Sequence, residues 1–475
     1  MIEKVFFHKG TLFQVFVSFT VNMIALTDGM AGGWTAPMIP YFLSEKSHIK
    51  MTRNAADWLE TSMLIGALVG LPNTFYLVRK FGRRKSLMFA LSTVIVCWIL
   101  IAIGDRVEYL YVARFFSGAG LNMAFVAVPM YISEISHKNI RGFLSSIGYV
   151  MMLVGVLIMY SVGPFLAYFV SPVIAISLLG VELVVCIFLP ESPYYLLTLN
   201  RYEDARISLS RFRDNPAEVE VELKDMIEAI EAERNENKSS IKDLFLVDSY
   251  RKSLIIMIVL NTAQQLSSFE VILMNIHEIL ESAESIYIES STAAIIFSAI
   301  MLVASCLAAL LMDNLGRKFL LILSSVLTGI SLSSLGTFLN LKLLGYNVDS
   351  VSWIPVVSVM MYAAVFKFGL GIVPSVLCAE IFSPKIKAFG LTAADGVYVA
   401  SSVVALQLFL QLKETVGIHW PFYIFSCCSF LTSLFVAMFV PETKGKTFEE
   451  IRMILEGKSV SNHPVEISCG ADFRK

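Results

Sequence analysis

Apolar residues gather along this chain into twelve stretches long enough for a helix to cross a bilayer, separated by polar or breaker-rich segments. A hydrocarbon core about 30 Å thick needs about 20 apolar residues per helix. The stretches lie near 11–33, 58–78, 86–104, 108–132, 143–164, 167–189, 253–275, 291–312, 319–338, 352–377, 389–411 and 418–440. The first is long, has no small-residue cleavage site after it and is followed by further apolar segments. It therefore reads as a retained membrane helix rather than a signal peptide. One polar segment interrupts the series, from Leu199 to about Arg251. The run from Ala217 within it has apolar residues at helical spacing and few breakers, which predicts short amphipathic helices outside the membrane. The pattern predicts an all-α membrane protein: a six-helix bundle over 1–193, a helical cytoplasmic insert over 194–251, a second six-helix bundle over 252–443 and a tail over 444–475.

Composition agrees. Of 475 residues, 56% are hydrophobic and only 16% charged, where a soluble domain carries about a quarter charged. A lipid-facing surface explains the deficit, because polar groups facing hydrocarbon are costly. The formal charge of −2 points to no partner, and no basic run resembles a nucleic-acid patch. Six of the seven cysteines lie in apolar stretches without metal-ligand spacing, so neither a metal site nor a disulfide framework is expected. No phosphate-cradling glycine loop with Lys and Ser/Thr occurs, so ATP is not the driver, and the chain reads as neither an enzyme nor a cofactor carrier.

Lysine and arginine set the orientation. Arg79, Lys80, Arg83, Arg84 and Lys85 follow helix 2, Lys138 and Arg141 follow helix 4, Arg317 and Lys318 follow helix 8, and Lys385 and Lys387 follow helix 10. All lie on one face with the insert and both termini, which predicts cytoplasmic termini; the plasma membrane is the default location.

The two halves echo each other. Gly82-Arg83-Arg84 is answered by Gly316-Arg317-Lys318, Glu134 with Arg141 by Glu380 with Lys387, and Pro190-Glu191-Ser192 by Pro441-Glu442-Thr443, at offsets of 234, 246 and 251 residues. Two parallel six-helix repeats are an architecture for alternating access, with the substrate site at the midplane between them. A carboxylate seven residues from a base can reach basic residues on the neighbouring hairpin, and such pairs suit a latch that forms in one state and breaks in another. Basic residues at cytoplasmic helix ends also occur for topology alone, and both readings stand.

These residues carry a family likeness. Arg114-x-x-x-Gly118-x-Gly120, Pro129-x-Tyr131-x-Ser133-Glu134-Ile135 with Arg141-Gly142, Pro190-Glu191-Ser192-Pro193, Gln264-Gln265-Leu266-Ser267, Asp313-x-x-Gly316-Arg317-Lys318 and Pro441-Glu442-Thr443-Lys444-Gly445 occur in order over residues 11–452. Together they resemble the sugar porter family of the major facilitator superfamily. Gly33-Trp34-Thr35-Ala36-Pro37 and the Gly-Lys-Thr-Phe-Glu-Glu-Ile ending are most similar to the insect facilitated trehalose transporter branch. The resemblance implies a sugar as cargo, the bilayer as the other partner, facilitated diffusion by alternating access, and latch roles for Gly82, Arg83, Arg84, Arg114, Glu134, Arg141, Asp313, Gly316, Arg317, Glu380 and Lys387. It also exposes departures. Arg79 replaces the acid of the first loop motif, Tyr149 a helix 5 Gln, Ser268 a Gly and Glu270 an Asn. Ser375 falls where the family has the helix 10 Trp, and Tyr398 aligns with an Asn in helix 11.

Polar residues inside membrane segments default to functional roles. Gln264 and Gln265 can donate and accept toward sugar hydroxyls without adding charge, or can join helices. Glu270 and Lys367 are expected to face the centre and neutralise each other, as a substrate-binding pair or a structural bridge. Asp28 is either a hydrogen-bonded acid at a helix end or the carrier of a coupled proton. Trp34, with Pro37, is expected to close helix 1, as an interfacial anchor or as a gate over the substrate. Glu60 reads as an outer-interface residue. Two other functions remain open: transport of another small polar or organic-ion solute, and a non-transporting sugar sensor on the same scaffold.

Overall fold

The computed structural model describes residues 9–137, 140–236, 247–283, 288–382, 387–444, 446 and 448–456. Twelve helices have the length and apolarity to cross a membrane. They are α1 (Lys9–Leu43), α2 (Arg53–Phe81), α3 (Arg83–Ile103), α4 (Val107–Ile135), α5 (Arg141–Val162), α6 (Val170–Phe188), α7 (Asp248–Ala283), α8 (Ser290–Leu315), α9 (Arg317–Leu343), α10 (Asp349–Ile381), α11 (Lys387–Thr415) and α12 (His419–Phe439). Among the described residues there is no strand.

Most expected stretches match to within a few residues, and the larger differences come from broken helices. Helix α1 does not stop at Trp34: it bends there and runs on as Thr35–Leu43. Pro37 lies in the first turn of that segment, where a missing N–H breaks no intrahelical bond. Helix α7 is broken between Asp248–Leu266 and Phe269–Ala283, so it reaches eight residues past the expected end. Within α10, Ile354–Phe368 gives way at Gly369 and resumes at Val373–Ile381.

The halves repeat one packing scheme. Helices α1 and α5, α2 and α4, and α3 and α6 run along each other, and α7 with α11, α8 with α10 and α9 with α12 repeat those pairs six helices later. Between the halves, α2 meets α11, α5 meets α8, and α1 meets α7. Small residues permit the closest approaches, as expected where helices meet in lipid. A Cβ at Gly118 in α4 would stand 1.9 Å from the Met63 carbonyl oxygen of α2, and one at Gly155 in α5 would stand 1.9 Å from that of Leu26 in α1.

The insert forms helices Pro193–Thr198, Tyr202–Ser210 and Pro216–Glu236 around a small apolar core. It is clamped to the first half. The Gln14 amide donates to the Phe212 carbonyl at 2.8 Å, and the buried Arg213 guanidinium holds Glu222 at 2.6 Å and the Ile135 carbonyl at 3.0 Å.

Replacing Gly118 or Gly155 with Leu should cost at least the roughly 1–3 kcal/mol of an overpacked core. Their thermal unfolding midpoints in detergent are expected to fall by several degrees. Gly180→Leu, at a position with nothing within 4 Å, should not change the midpoint. Equal behaviour of all three variants would sink the close-packing account.

Candidate functional site

The breaks in α7 and α10 bring polar side chains together where the two halves meet. Gln264 is spent on structure: its amide donates to the Gly371 carbonyl at 2.9 Å, beside the break in α10. Gln265 is not. It is fully buried, and neither amide atom has a hydrogen-bond partner among the described residues. The Tyr398 hydroxyl of α11 comes close to this amide, outside good hydrogen-bond geometry, and also lies within electrostatic reach of Glu270, Tyr149 and Asp28.

Lys367 and Glu270 do not form the expected ion pair. The Lys367 ammonium is buried in an aromatic box, 3.9 Å from the Phe269 ring centroid and 4.8 Å from that of Tyr149, and it donates to the Tyr149 hydroxyl. That hydroxyl also donates to the Gly371 carbonyl at 3.3 Å, so Tyr149 ties the two halves together at the centre. The reason is position. Lys367 lies in the last turn of the first segment of α10, from which its ammonium reaches Tyr149 of α5. Glu270 is left half-buried, close enough to Lys367 and Asp28 to feel their charges but bonded to neither. Aromatic surface is still present nearby, since Phe269, Phe366 and Tyr362 stack at centroid separations of 5.3 and 5.2 Å. The spacing of Tyr362 and Phe366, one helical turn apart, was the available signal for that stack. Ser375 lies exposed in the second segment of α10.

Trp34 and Arg114 belong to another place. Trp34 is fully buried in the first half, edge-on to Phe42 at 5.7 Å and beneath the Arg114 guanidinium at 5.5 Å. It is therefore neither an interfacial anchor nor at the midplane centre. Arg114 donates to the Ala31 carbonyl at 2.6 Å, where α1 bends, and is remote from the Gly-Arg turns. Glu60 is also fully buried rather than interfacial. It interacts electrostatically with Arg114 and accepts from the Asn275 amide of α7 at 3.0 Å.

Above these residues, on the face away from the insert, polar contacts join the halves. Lys413 of α11 reaches Asp57 of α2 at 3.2 Å and Glu278 of α7 at 3.3 Å, and Arg53 pairs with the same Glu278. The Gln407 amide donates to the Thr61 hydroxyl at 2.6 Å. This network went unread in the sequence because its members are single charges near helix ends, scattered over three helices.

At the insert face the expected clusters form, and they form twice. The Arg83 Nε donates to Glu134 at 3.1 Å, while the backbone amides of Arg83 and Arg84 donate to Glu191 at 3.0 and 3.1 Å. In the second half Arg317 donates to Glu380 at 3.0 Å, and the amides of Arg317 and Lys318 donate to Glu442, each at 3.0 Å. The Ser192 hydroxyl donates to Glu134, and that of Thr443 to Glu380. Glu191 and Glu442 thus cap the N-termini of α3 and α9, a role the repeated Pro-Glu motif signals only by its position. Gly82 and Gly316 make the turns possible. Their φ values of 89° and 85° favour glycine, and a Cβ on either would lie 2.7 Å from the capping carboxylate. Burial pushes the Glu442 carboxyl up, but the backbone amides of Lys444, Arg317, Lys318 and Thr443 outweigh it and hold it below the ordinary range. The cap therefore stays charged at neutral pH and weakens only as pH falls through that lowered value. Arg84 donates to the Leu189 carbonyl at 2.7 Å. Arg141 is exposed and has no recorded bond among the described residues, and the side chains of Asp313 and Lys387 lie outside them.

Two six-helix repeats with broken helices where they meet define a membrane transporter of the major facilitator fold. A family model described as "Sugar (and other) transporter" matches residues 28–455, and the chain belongs to that family. It is 30% identical over 455 residues to the facilitated trehalose transporter Tret1 of Polypedilum vanderplanki, covering 94% of this chain and 88% of that one. The Tret1 of Culex quinquefasciatus is 27% identical, with coverage of 95% and 87%. The inward-open structure of the Escherichia coli xylose transporter XylE superposes with a TM-score of 0.73 at 22% identity, covering 93% of this chain and 98% of that one. Its partially occluded inward-open form gives 0.74 at 22% identity, with coverage of 92% and 99%. The last two similarities speak to the fold alone.

The break in α7 carries a local cost. Ser268 has a φ of 74°, and its buried hydroxyl has no partner among the described residues. A left-handed conformation costs a non-glycine residue roughly 1–2 kcal/mol. Ser268→Gly should therefore raise the unfolding midpoint in detergent, by the equivalent of about 1 kcal/mol. A lower midpoint would show that the serine does something the geometry does not reveal.

Proposed function

We propose that this chain carries a sugar across the plasma membrane by alternating access, as facilitated diffusion, with both termini and the insert cytoplasmic. The segments 1–193 and 252–443 rock against each other about the broken helices. Gln265 carries the reading. A fully buried amide with two unused hydrogen-bonding atoms, at a helix break between the halves, is what a neutral polyhydroxyl ligand requires. Tyr398 beside it supplies a further hydroxyl and ring face. Arg83 with Glu134 and Arg317 with Glu380 serve as braces that hold the helix ends within each half. Facilitated passage needs no coupled proton. Asp28 and Glu270 are the residues on which coupling would rest.

One observation favours a second cargo class. Asp28 and Glu270 stand half-buried near each other without a recorded bond, and Lys367 is engaged elsewhere. A small polar or organic-ion solute would find charges there that a neutral sugar does not need.

The test is uptake of labelled trehalose, glucose and fructose into proteoliposomes. Saturable uptake of one sugar is expected, with kcat/KM reduced at least tenfold in Gln265→Ala, about 1.4 kcal/mol of lost binding. No flux of any sugar from correctly inserted protein would pass the reading to the other solute class.

On this reading the Lys413, Asp57, Glu278 and Arg53 network is the outer gate. Lys413→Met leaves two carboxylates facing one arginine and should favour the outward-open state. The readout is labelling of Ala36→Cys, on the far-side stretch of α1, by an impermeant thiol reagent added outside. Labelling should quicken several-fold in the Lys413→Met background, and an unchanged rate would count against the gate.

A further inference from the structure

A cleft of about 560 Å³ opens at the insert face, where the end of α2, the start of α3 and the end of α6 meet the insert helix Tyr202–Ser210. Its polar lining is mainly basic: Lys80, Arg84, Lys85, Arg201 and Arg211 face it, against Glu191 and Asp204. Both acids are already engaged. Glu191 accepts the amides that cap α3, and Asp204 accepts from Arg201 at 2.7 Å. Lys80 and Arg84 are partly engaged, with Tyr76 and the Leu189 carbonyl, but the Nε of Arg84 is buried and has no partner. Lys85 and Arg211 are exposed and make no recorded bond. The cleft therefore holds uncompensated positive charge, aimed inward from two membrane helices and the insert.

Its rim is apolar. Phe188 is 73% exposed, and Ile187 and Phe81 are exposed beside it, all at the ends of membrane spans where acyl chains begin. A soluble anion would use the charge but not this rim. We propose that the cleft binds the phosphate headgroup of an anionic phospholipid from the leaflet on the insert side, with its acyl chains along Phe188 and Ile187. Basic residues just beyond membrane helices attract such lipids, each strengthening binding by about fivefold. The ligand would bridge the α2–α3 hairpin to the insert, next to the Glu191 cap, and so brace the insert against the first half.

The test uses the full chain in a zwitterionic detergent, titrated with dioleoyl phosphatidylglycerol or dioleoyl phosphatidylcholine, and reads the thermal unfolding midpoint and native-mass lipid adducts. Phosphatidylglycerol should raise the midpoint and leave adducts that phosphatidylcholine does not. The Lys85→Gln/Arg211→Gln double variant should need roughly tenfold or more lipid for the same shift. Lys224→Gln, a change of an exposed lysine that does not line the cleft, should behave as the parent. Both altered residues are exposed and unbonded, so the variant should fold normally, and Lys85→Arg/Arg211→Lys should restore lipid binding. Equal lipid response in parent and double variant would overturn the proposal. So would glycerol phosphate reproducing the shift at equal concentration, which would make the cleft a site for free anions.

Discussion

Backbone groups freed inside a membrane must find partners within the protein, because lipid offers none, and the centre of this transporter is arranged around that constraint. At each break in α1, α7 and α10, a side chain from another helix takes up a carbonyl. Arg114 takes Ala31, and Tyr362 takes Ser267 at 2.9 Å. Tyr160 takes Leu273, beside a second kink of α7 at Asn275, and Gln264 with Tyr149 takes Gly371. The amide of Leu370 donates to the Ser324 hydroxyl at 2.9 Å. These partners fix where the helices can break. The breaks in turn fix where backbone and polar side chains come within reach of a ligand.

The same constraint separates residues that look alike in the sequence. Gln264 and Gln265 are adjacent amides on one helix, yet one is consumed by the break in α10 and the other is left over. The choice between sugar contact and helix glue thus has a different answer for each. Trp34 and Arg114 were misplaced for a related reason. Pro37 looks like a terminator, but a proline in the first turn of a new segment costs no hydrogen bond. Helix α1 therefore continues past Trp34, and the ring is drawn into the core of the first half. The orphaned Ala31 carbonyl then accounts for Arg114, which a motif alone cannot locate.

Features that depend on local spacing could be read in advance. Twelve apolar stretches, a polar insert and three motifs recurring at nearly constant offset define the two repeats, and Glu134 does reach Arg83 just as Glu380 reaches Arg317. What could not be read depends on which helices become neighbours. The expected pairing of Glu270 with Lys367 assumed straight helices in motif register. The lysine, in the last turn before the break at Gly369, sits instead in an aromatic box, where a cation is stabilised by ring faces. Glu60 seemed peripheral for the same reason: its partners Arg114 and Asn275 come from α4 and α7, and nothing in the sequence brings those helices to α2.

The polar contacts on the two faces differ in what they connect, and that difference bears on how the halves can move. At the insert face each carboxylate cluster binds helices of one half only. Glu134 and Glu191 hold the α2–α3 turn, and Glu380 and Glu442 hold the α8–α9 turn. Such clusters need not break when the halves rock; they keep each bundle rigid while it moves. This changes the expected meaning of the latch, from a bond made in one state to a brace kept in both. It also lessens the consequence of Arg79, since the first turn is secured by Glu191 and Glu134 without an acid at that position. On the opposite face Lys413, Glu278, Asp57 and Arg53 join α11 and α7 to α2, across the boundary between the halves, and Gln407 joins Thr61 below them. Bonds across a moving boundary are the ones a conformational cycle must break, and their free energy enters the equilibrium between its states directly. Among the described residues, the ion pairs that cross this boundary lie on the far side, so opening that side is the step that must break them.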